Sequence, residues 1–335
     1  MSKKQTARKK SVTMQDIANE TGVSITTVSH VINKTRHVNS ETRSLVLDAM
    51  NRLEYSTRKT RKRPAAAEGI LGVIVADIRE DYYVALVKAI ETIASENGLS
   101  ILLCDSEMDP EKEEKNIHTI LERDVSGMII APIDSRTFPR ELRETSLPVV
   151  LVDRQYDEHN RTFVGINNFE SSVMAYRHLQ NKGCSRIGFI GYSEHVYTVR
   201  KRIIGYKASV VETTPAYQPQ VLKLHYDKED SFSRIARFIT EHDFDGLICA
   251  TSDLCYETIS ALHETHIRIP EDIQVITYDD NKWLDYLKYP VSVVSQPTAE
   301  IGAYAVEKLI QYIESPEDDP RIKTEVFFEV SIIDR

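Results

Sequence analysis

Several things that would assign a function at once are missing from this 335-residue chain. Cysteine is scarce: Cys104, Cys184, Cys249 and Cys255 form no CxxC pair and sit in strand-like surroundings. That excludes a disulfide scaffold and predicts reduced, small core residues in a cytoplasmic protein. No apolar run approaches the roughly 20 residues of a membrane-spanning helix. The basic start, MSKKQTARKK, is not followed by an apolar stretch, so it does not read as a secretory signal. Catalytic signatures are lacking too. Gly188-Phe189-Ile190-Gly191 wants the third glycine of a dinucleotide loop, and neither a Walker A loop nor a GxSxG elbow occurs. His263 and His266 are three apart, which is not HExxH spacing. No carboxylate pair stands out for acid–base work. An enzyme, a cofactor and a metal site are therefore not expected.

What is present is an uneven distribution of charge. Residues 1–63 hold 14 Lys and Arg against 5 Asp and Glu, a net +9, while the remainder holds 28 against 46, a net −18. A basic head on an acidic body aims only the head at a polyanion, and nucleic acid is the leading candidate. Within that head lies VTMQDIANETGVSITTVSHVIN, residues 12–33. Thr13 is placed to cap a first helix, with Asp16 three residues on. Gly22 ends that helix, and Ser24 caps a second whose apolar residues are Val28, Val31 and Ile32. Helix, glycine-bearing turn, helix is the pattern whose second helix enters the DNA major groove. An ordinary helical hairpin is the competing reading. A third helix from Ser40 carries Leu45, Val46, Ala49, Met50 and Leu53. The three should close on a very small core of Ile17, Val28, Ile32, Leu45 and Ala49, marginal by itself.

Beyond a basic linker the texture changes. Val/Ile/Leu runs at 72–77, 101–106, 127–132, 149–154, 164–167, 187–191, 221–226, 246–251, 273–279 and 291–296 alternate with helical patterns. Such runs predict parallel strands covered on both faces. About ten strands exceed one sheet, so the fold class is a small all-α helix-turn-helix head plus an α/β body of two doubly wound lobes. Ligands in such folds bind beyond the carboxyl ends of strands. Asp77, Arg79, Tyr82 and Tyr83 follow the first strand, and Asp279 follows a later one.

The spacing Gly22-Val23-Ser24, Thr27-Val28-Ser29, Val31 and Asn33, with Val38, Ser40, Thr42, Arg43 and Leu53-Glu54-Tyr55 beyond it, resembles the lactose-repressor (LacI/GalR) family of bacterial transcription regulators. The resemblance runs on through Arg202…Gly205-Tyr206, Ser252-Asp253, Ile269-Pro270-Glu271-Asp272-Ile273 and Gln296-Pro297. It implies a periplasmic-binding-protein-like effector body, and it implies that Ile25, Thr26 and His30 reach base edges. Thr26 can hydrogen-bond, and its methyl group and Ile25 can pack on a thymine methyl. His30 departs from the usual arginine, which implies a shifted base preference. Ser24, Thr27, Ser29 and Asn33, with Thr13, suit phosphates. The expected divisions are a disordered basic tail at 1–11, the DNA-binding head at 12–56, a linker at 57–69 and the effector and dimerisation body at 70–335. One lobe would span about 70–183 and 298–326, and the other 184–296 and 327–335.

The linker departs from the family. Pro64 falls where an intercalating leucine of a hinge helix would stand, and Arg58, Lys59, Arg61, Lys62 and Arg63 could replace it electrostatically. In the cleft, Arg202, Ser252 and Asp279 match the family's effector contacts, with Tyr82 or Tyr83 as an aromatic wall. Asp279 could accept from two sugar hydroxyls. Consecutive Arg200, Lys201 and Arg202 raise a sugar, a sugar acid or a sugar phosphate as effector classes, although Arg200 and Lys201 could equally face solvent. The expected protein is a cytoplasmic homodimeric repressor of a carbohydrate or related operon, reading a pseudo-palindromic operator without a membrane partner. Two alternatives stay open: a cytoplasmic sugar-binding or sugar-processing protein without specific DNA function, and a regulator that needs a corepressor or protein partner.

Overall fold

The computed structural model describes residues 14–24, 27, 28, 31, 39–52, 69–213, 216–226, 230–315 and 321–335. The expected positions Thr13, Ile25, Thr26, Ser29, His30, Ile32, Asn33, Arg58, Lys59, Arg61 and Pro64 lie outside them. The chain divides into two compact units, residues 1–67 and 68–335.

In the head, α1 (Met14–Thr21) ends at Gly22, whose φ of +69° and N–H bond to the Ala18 carbonyl make a left-handed helix stop. Ser24 then caps the next helical residues. Its Oγ accepts from the Thr27 N–H at 3.1 Å and lies 2.8 Å from the Thr27 hydroxyl. The second capped start, that of α2 (Ser40–Arg52), belongs to Asn39, whose Oδ1 accepts from the Thr42 N–H at 2.7 Å. The core holds Ile17, Ala18, Val28, Val31, Val46, Ala49 and Met50. Leu45, expected inside, is 43% exposed, because Val46, Ala49 and Met50 set the buried face of α2.

In the body, β1 (Gly69–Val75), β2 (Leu99–Asp105), β3 (Gly127–Ile130), β4 (Val149–Val152), β5 (Thr162–Ile166) and β11 (Thr324–Phe328) form one parallel sheet in the order β11-β5-β4-β3-β1-β2. A second sheet joins β6 (Ile187–Tyr192), β7 (Gln220–Leu224), β8 (Gly246–Cys249), β9 (Gln274–Tyr278), β10 (Ser292–Ser295) and β12 (Ser331–Ile333) in the order β12-β10-β9-β8-β6-β7. Only the β10–β12 pair is antiparallel in it. Among the described residues the body helices are α3 (Asp81–Glu96), α4 (Pro110–Leu121), α5 (Arg140–Glu144), α6 (Asn168–Asn181), α7 (Tyr197–Thr213), α8 (Ser231–Glu241), α9 (Ser252–Glu264) and α10 (Thr298–Glu314). They cover both faces of the sheets. In the first lobe α3 and α10 bury Leu86, Ile90, Ile301 and Leu309 against one face, and α4 buries Ile117 and Ile120 against the other. Among the described residues all four cysteines are free thiols.

One expected boundary is corrected. Residues 168–183 do not close the first lobe. Helix α6 packs on α7, and Ala175, Tyr176 and Leu179 enter the second lobe's core beside Ile187, Phe189 and Tyr206. The reason is steric: Gly205 of α7 lets the two helices meet, since a Cβ there would come within 2.4 Å of the Phe169 carbonyl oxygen. The first passage between lobes is therefore the short step from Ile166 to Asn168. Later passages follow β10 at Gln296-Pro297 and β11 at Glu329-Val330.

Candidate functional site

The two lobes repeat one strand order, so β4 and β9 are equivalent, and each is followed by an aspartate with positive φ. Asp153 has φ +62° and Asp279 +69°. Aspartate is among the few residues that tolerate this region. The turn takes both carboxylates off their strands into the cleft at the carboxyl ends, the position favoured for ligands in doubly wound sheets.

From the first lobe, Tyr83 donates to Asp153 Oδ2 at 2.7 Å, and the Arg154 guanidinium pairs with the same oxygen at 3.2 Å. Tyr82 stands edge-on to Tyr83, 5.3 Å between ring centres, but its buried hydroxyl has no partner. From the second lobe, Arg202 lies 3.6 Å over the Tyr278 ring. It donates from Nε to Asn168 Oδ1 at 2.8 Å and from a terminal nitrogen to the Ala250 carbonyl at 2.6 Å. Gln296 donates to Asp279 Oδ1 at 2.7 Å, while its own Oε1 is buried and unpartnered. Burial pushes the Asp279 carboxyl up to about 6, against the opposing pull of Arg202 and Gln296. Asn168 and Gln296 both sit on the passages between lobes. The two charged groups of the second lobe are thus held by the segments that must turn if the lobes move.

The mouth of this cleft is a cavity of about 380 Å³ lined by Asp77, Arg79, Glu80, Ser252, Asp253 and aromatic side chains. Asp77 is occupied by its neighbour. Arg79 donates to both of its oxygens, at 2.6 to 3.1 Å. Burial would lift the Asp77 carboxyl, but the Arg79 guanidinium outweighs it and holds it below the usual range. Tyr226, after β7, reaches across to Glu80 Oε1 at 3.4 Å and stacks on Tyr192 at 3.7 Å. Burial, with Asp253, Asp153 and Asp279 nearby, pushes Glu80 up to about 8 although Arg154 opposes it.

The expected cleft residues Asp77, Arg79, Tyr82, Tyr83, Arg202, Ser252 and Asp279 thus come together at one cleft. Arg200 and Lys201 do not join them. Arg200 pairs with Asp157, and Lys201 lies over the Tyr197 ring in a separate recess with Gln155 and Lys323. Sequence reasoning missed Glu80, Asp153, Arg154, Tyr192, Tyr226, Asp253 and Gln296. A polar or aromatic residue closing a strand, the pattern that marks Asp77 and Asp279, also marks Asp153 after β4, Tyr192 at the end of β6, Tyr226 after β7 and Gln296 after β10, whereas Glu80, Arg154 and Asp253 carry no such mark. In the head, Ser24 is exposed and Thr27 half-buried at the start of the second helix.

Among the described residues no helix is long and apolar enough to cross a membrane. The family model for bacterial regulatory proteins of the lacI family matches residues 13–58, and that for the periplasmic binding protein-like domain matches residues 176–335. The chain is 30% identical over 313 residues to the HTH-type transcriptional regulator RegA of Clostridium saccharobutylicum, covering 92% of this chain and 94% of the relative. Its fold is similar to that of the transcriptional regulator CelR in complex with cellobiose, with a TM-score of 0.70 at 21% identity over 96% of this chain and 98% of the other. It is likewise similar to the lac repressor dimer bound to operator and an anti-inducer, with a TM-score of 0.69 at 22% identity over 97% and 98%. A capped helix-turn-helix head, a body of two like lobes and a polar cleft between them agree with these likenesses, and the chain belongs to the lacI family of bacterial DNA-binding transcriptional regulators.

Proposed function

We propose that the chain is a cytoplasmic homodimeric repressor of a carbohydrate or related metabolic operon, whose grip on a pseudo-palindromic operator is set by a small effector in the cleft. Base contacts fall to Ile25, Thr26 and His30. Thr13, Ser24, Thr27, Ser29 and Asn33 take phosphates, and Arg58, Lys59 and Arg61 add charge along the spacer. In the cleft, Arg202, Asp279, Tyr82 and Ser252 contact the effector. Asp77 and Tyr83 act behind them, through Arg79 and Asp153.

One observation carries the regulatory part of this reading. Arg202 is bonded to Asn168 and Asp279 to Gln296, and both partners lie on the passages between the lobes. An effector that engages Arg202 and Asp279 competes for the groups that fix the passages. It thereby favours one lobe angle over another, which is the differential binding any such switch requires. The test is direct. Selection from a randomised duplex library with the full-length protein should enrich a pseudo-palindrome, and an effector found by thermal shift should alter the affinity for it. Enrichment no better than random duplex would sink the reading.

A further inference from the structure

The mouth of the cleft is walled by two aromatic pairs. Tyr192 and Tyr226 stack 3.7 Å apart, 21° from parallel, and Tyr256 meets Trp283 edge-on at 5.9 Å. Two carboxyl groups are fixed against this wall: Asp253 accepts from the Tyr192 hydroxyl, and Glu80 from the Tyr226 hydroxyl. Asp81 lines the same cavity. Its one lining guanidinium, Arg79, is spent on Asp77. Deeper in, Arg154 is paired with Asp153, which leaves Asp279 facing Arg202. Counted across mouth and interior, the carboxylates of Asp77, Asp81, Asp153, Asp253 and Asp279 face three guanidiniums, and Glu80 adds a carboxyl that ionises when a cation approaches. Tyr82, 6% exposed, points an unpartnered hydroxyl into the electrostatic reach of Asp153 and Asp279.

Resting on the reading of this cleft as the effector site, we infer that the effector carries a positive charge: a protonated amine or quaternary ammonium on a hydroxylated body, of the amino-sugar or amino-alcohol class. The ammonium sits in the mouth, where aromatic faces attract a cation, the Asp253 carboxylate neutralises it and Glu80 gives up its proton against it. The hydroxylated part reaches inward to Asp279, Arg202 and the idle Tyr82 hydroxyl. Burial above all, with Asp253, Asp153 and Asp279 adding to it, raises Glu80 to about 8, and a cation bound beside it favours its ionised form. Anionic effectors are disfavoured on the same geometry. Arg200 and Lys201, the cations that would have recruited a sugar acid or phosphate, lie outside the cleft.

The experiment is isothermal titration of the full-length protein with glucosamine, choline, glucose, gluconate and glucose 6-phosphate at one ionic strength. Glucosamine or choline should bind at least about tenfold more tightly than glucose, and the two anions more weakly than glucose. Asp253→Asn and Tyr256→Ala should each weaken the amines about tenfold while changing any glucose affinity by less than about threefold. Both are solvent-facing substitutions, and thermal midpoints verify folding. Equal or tighter binding of glucose or an anion overturns the charge assignment while leaving the cleft as an effector site. Failure of both amines to bind also overturns it, and the other three compounds then report separately on whether the cleft takes a ligand at all.

Discussion

Arg202 is the residue on which the cleft turns. Its guanidinium has a fixed fork of donors, and the fork is divided between Asn168, the Ala250 carbonyl and the Tyr278 face. Arg202→Lys keeps the charge but not the fork. It should lose at least about tenfold in effector affinity while operator binding without effector persists, as fluorescence anisotropy with and without ligand would read. Glu113 makes a different point. It is buried, accepts from the Ile133 N–H at 2.8 Å, and burial lifts its carboxyl to about 7. A carboxyl raised on folding contributes stability that is complete below its unfolded value of 4.5 and is lost as pH rises through about 7. Glu113→Gln should therefore flatten the fall in stability between pH 5 and 8. The variant should exceed the parent at pH 8 by an amount of order 1 to 3 kcal/mol in chemical denaturation. Residue types such as Asp279, Arg202 and Tyr82 could be read from the sequence because each closes a strand or matches a family position. The bond between Asp279 and Gln296 could not, since nothing in a linear string says that two strand ends will meet.

At the scale of elements, strands were the legible part. Buried parallel strands are continuous apolar runs, and GVIV, GMII, VVLV and GLIC each stand out between polar neighbours. Helix allegiance was not legible. The burial of Ala175, Tyr176 and Leu179 beside Ile187 and the close approach at Gly205 together commit α6 to the second lobe. Gly302 does the same for α10, which returns to the first lobe and comes so near α3 that a Cβ would stand 2.7 Å from the Ala89 Cβ and 3.1 Å from the Leu86 carbonyl oxygen. Gly205→Ala and Gly302→Ala should each destabilise the body by about 1 to 3 kcal/mol. Gly183→Ala provides the contrast. No atom lies within 4 Å of its prospective Cβ, yet its φ is +95°. The loss there should stay near 1 kcal/mol, arising from backbone strain alone. Thermal denaturation of the three variants would separate crowding from strain.

For the whole molecule the opposed charges of head and body set the chemistry of association. A head of +9 meets a phosphate backbone while a body of −18 is repelled by it. Operator affinity should fall linearly on a log–log plot against salt, with a slope near −0.9 per phosphate neutralised. Replacing Arg58, Lys59 and Arg61 together with glutamine should reduce the magnitude of that slope by up to about 3. An unchanged slope would remove the linker from the interface. The asymmetry was plain in the sequence, and so was the need for a head on a two-lobed body. The charge of the cleft was not, because a linear string does not show that Arg79 turns back on Asp77 and Arg154 on Asp153, nor that Arg202 meets Asp279 at a distant strand end.

The passage of the chain back and forth between lobes has a consequence for the order of manufacture. The first lobe is begun first yet completed only near the end of the chain, since its edge strand β11 and its covering helix α10 come from residues 298–328, after all of the second lobe but β12 has been made. A chain emerging from the ribosome up to Ser295 already holds five of the six strands of the second sheet, with α6 to α9 around them. Its older half still exposes the apolar faces of Leu86 and Ile90 that await Ile301 and Leu309. The older half is thus the part that needs shielding during synthesis, and a nonsense mutation after Ser295 would leave a second lobe short of β12 alone tethered to a first lobe short of both α10 and β11.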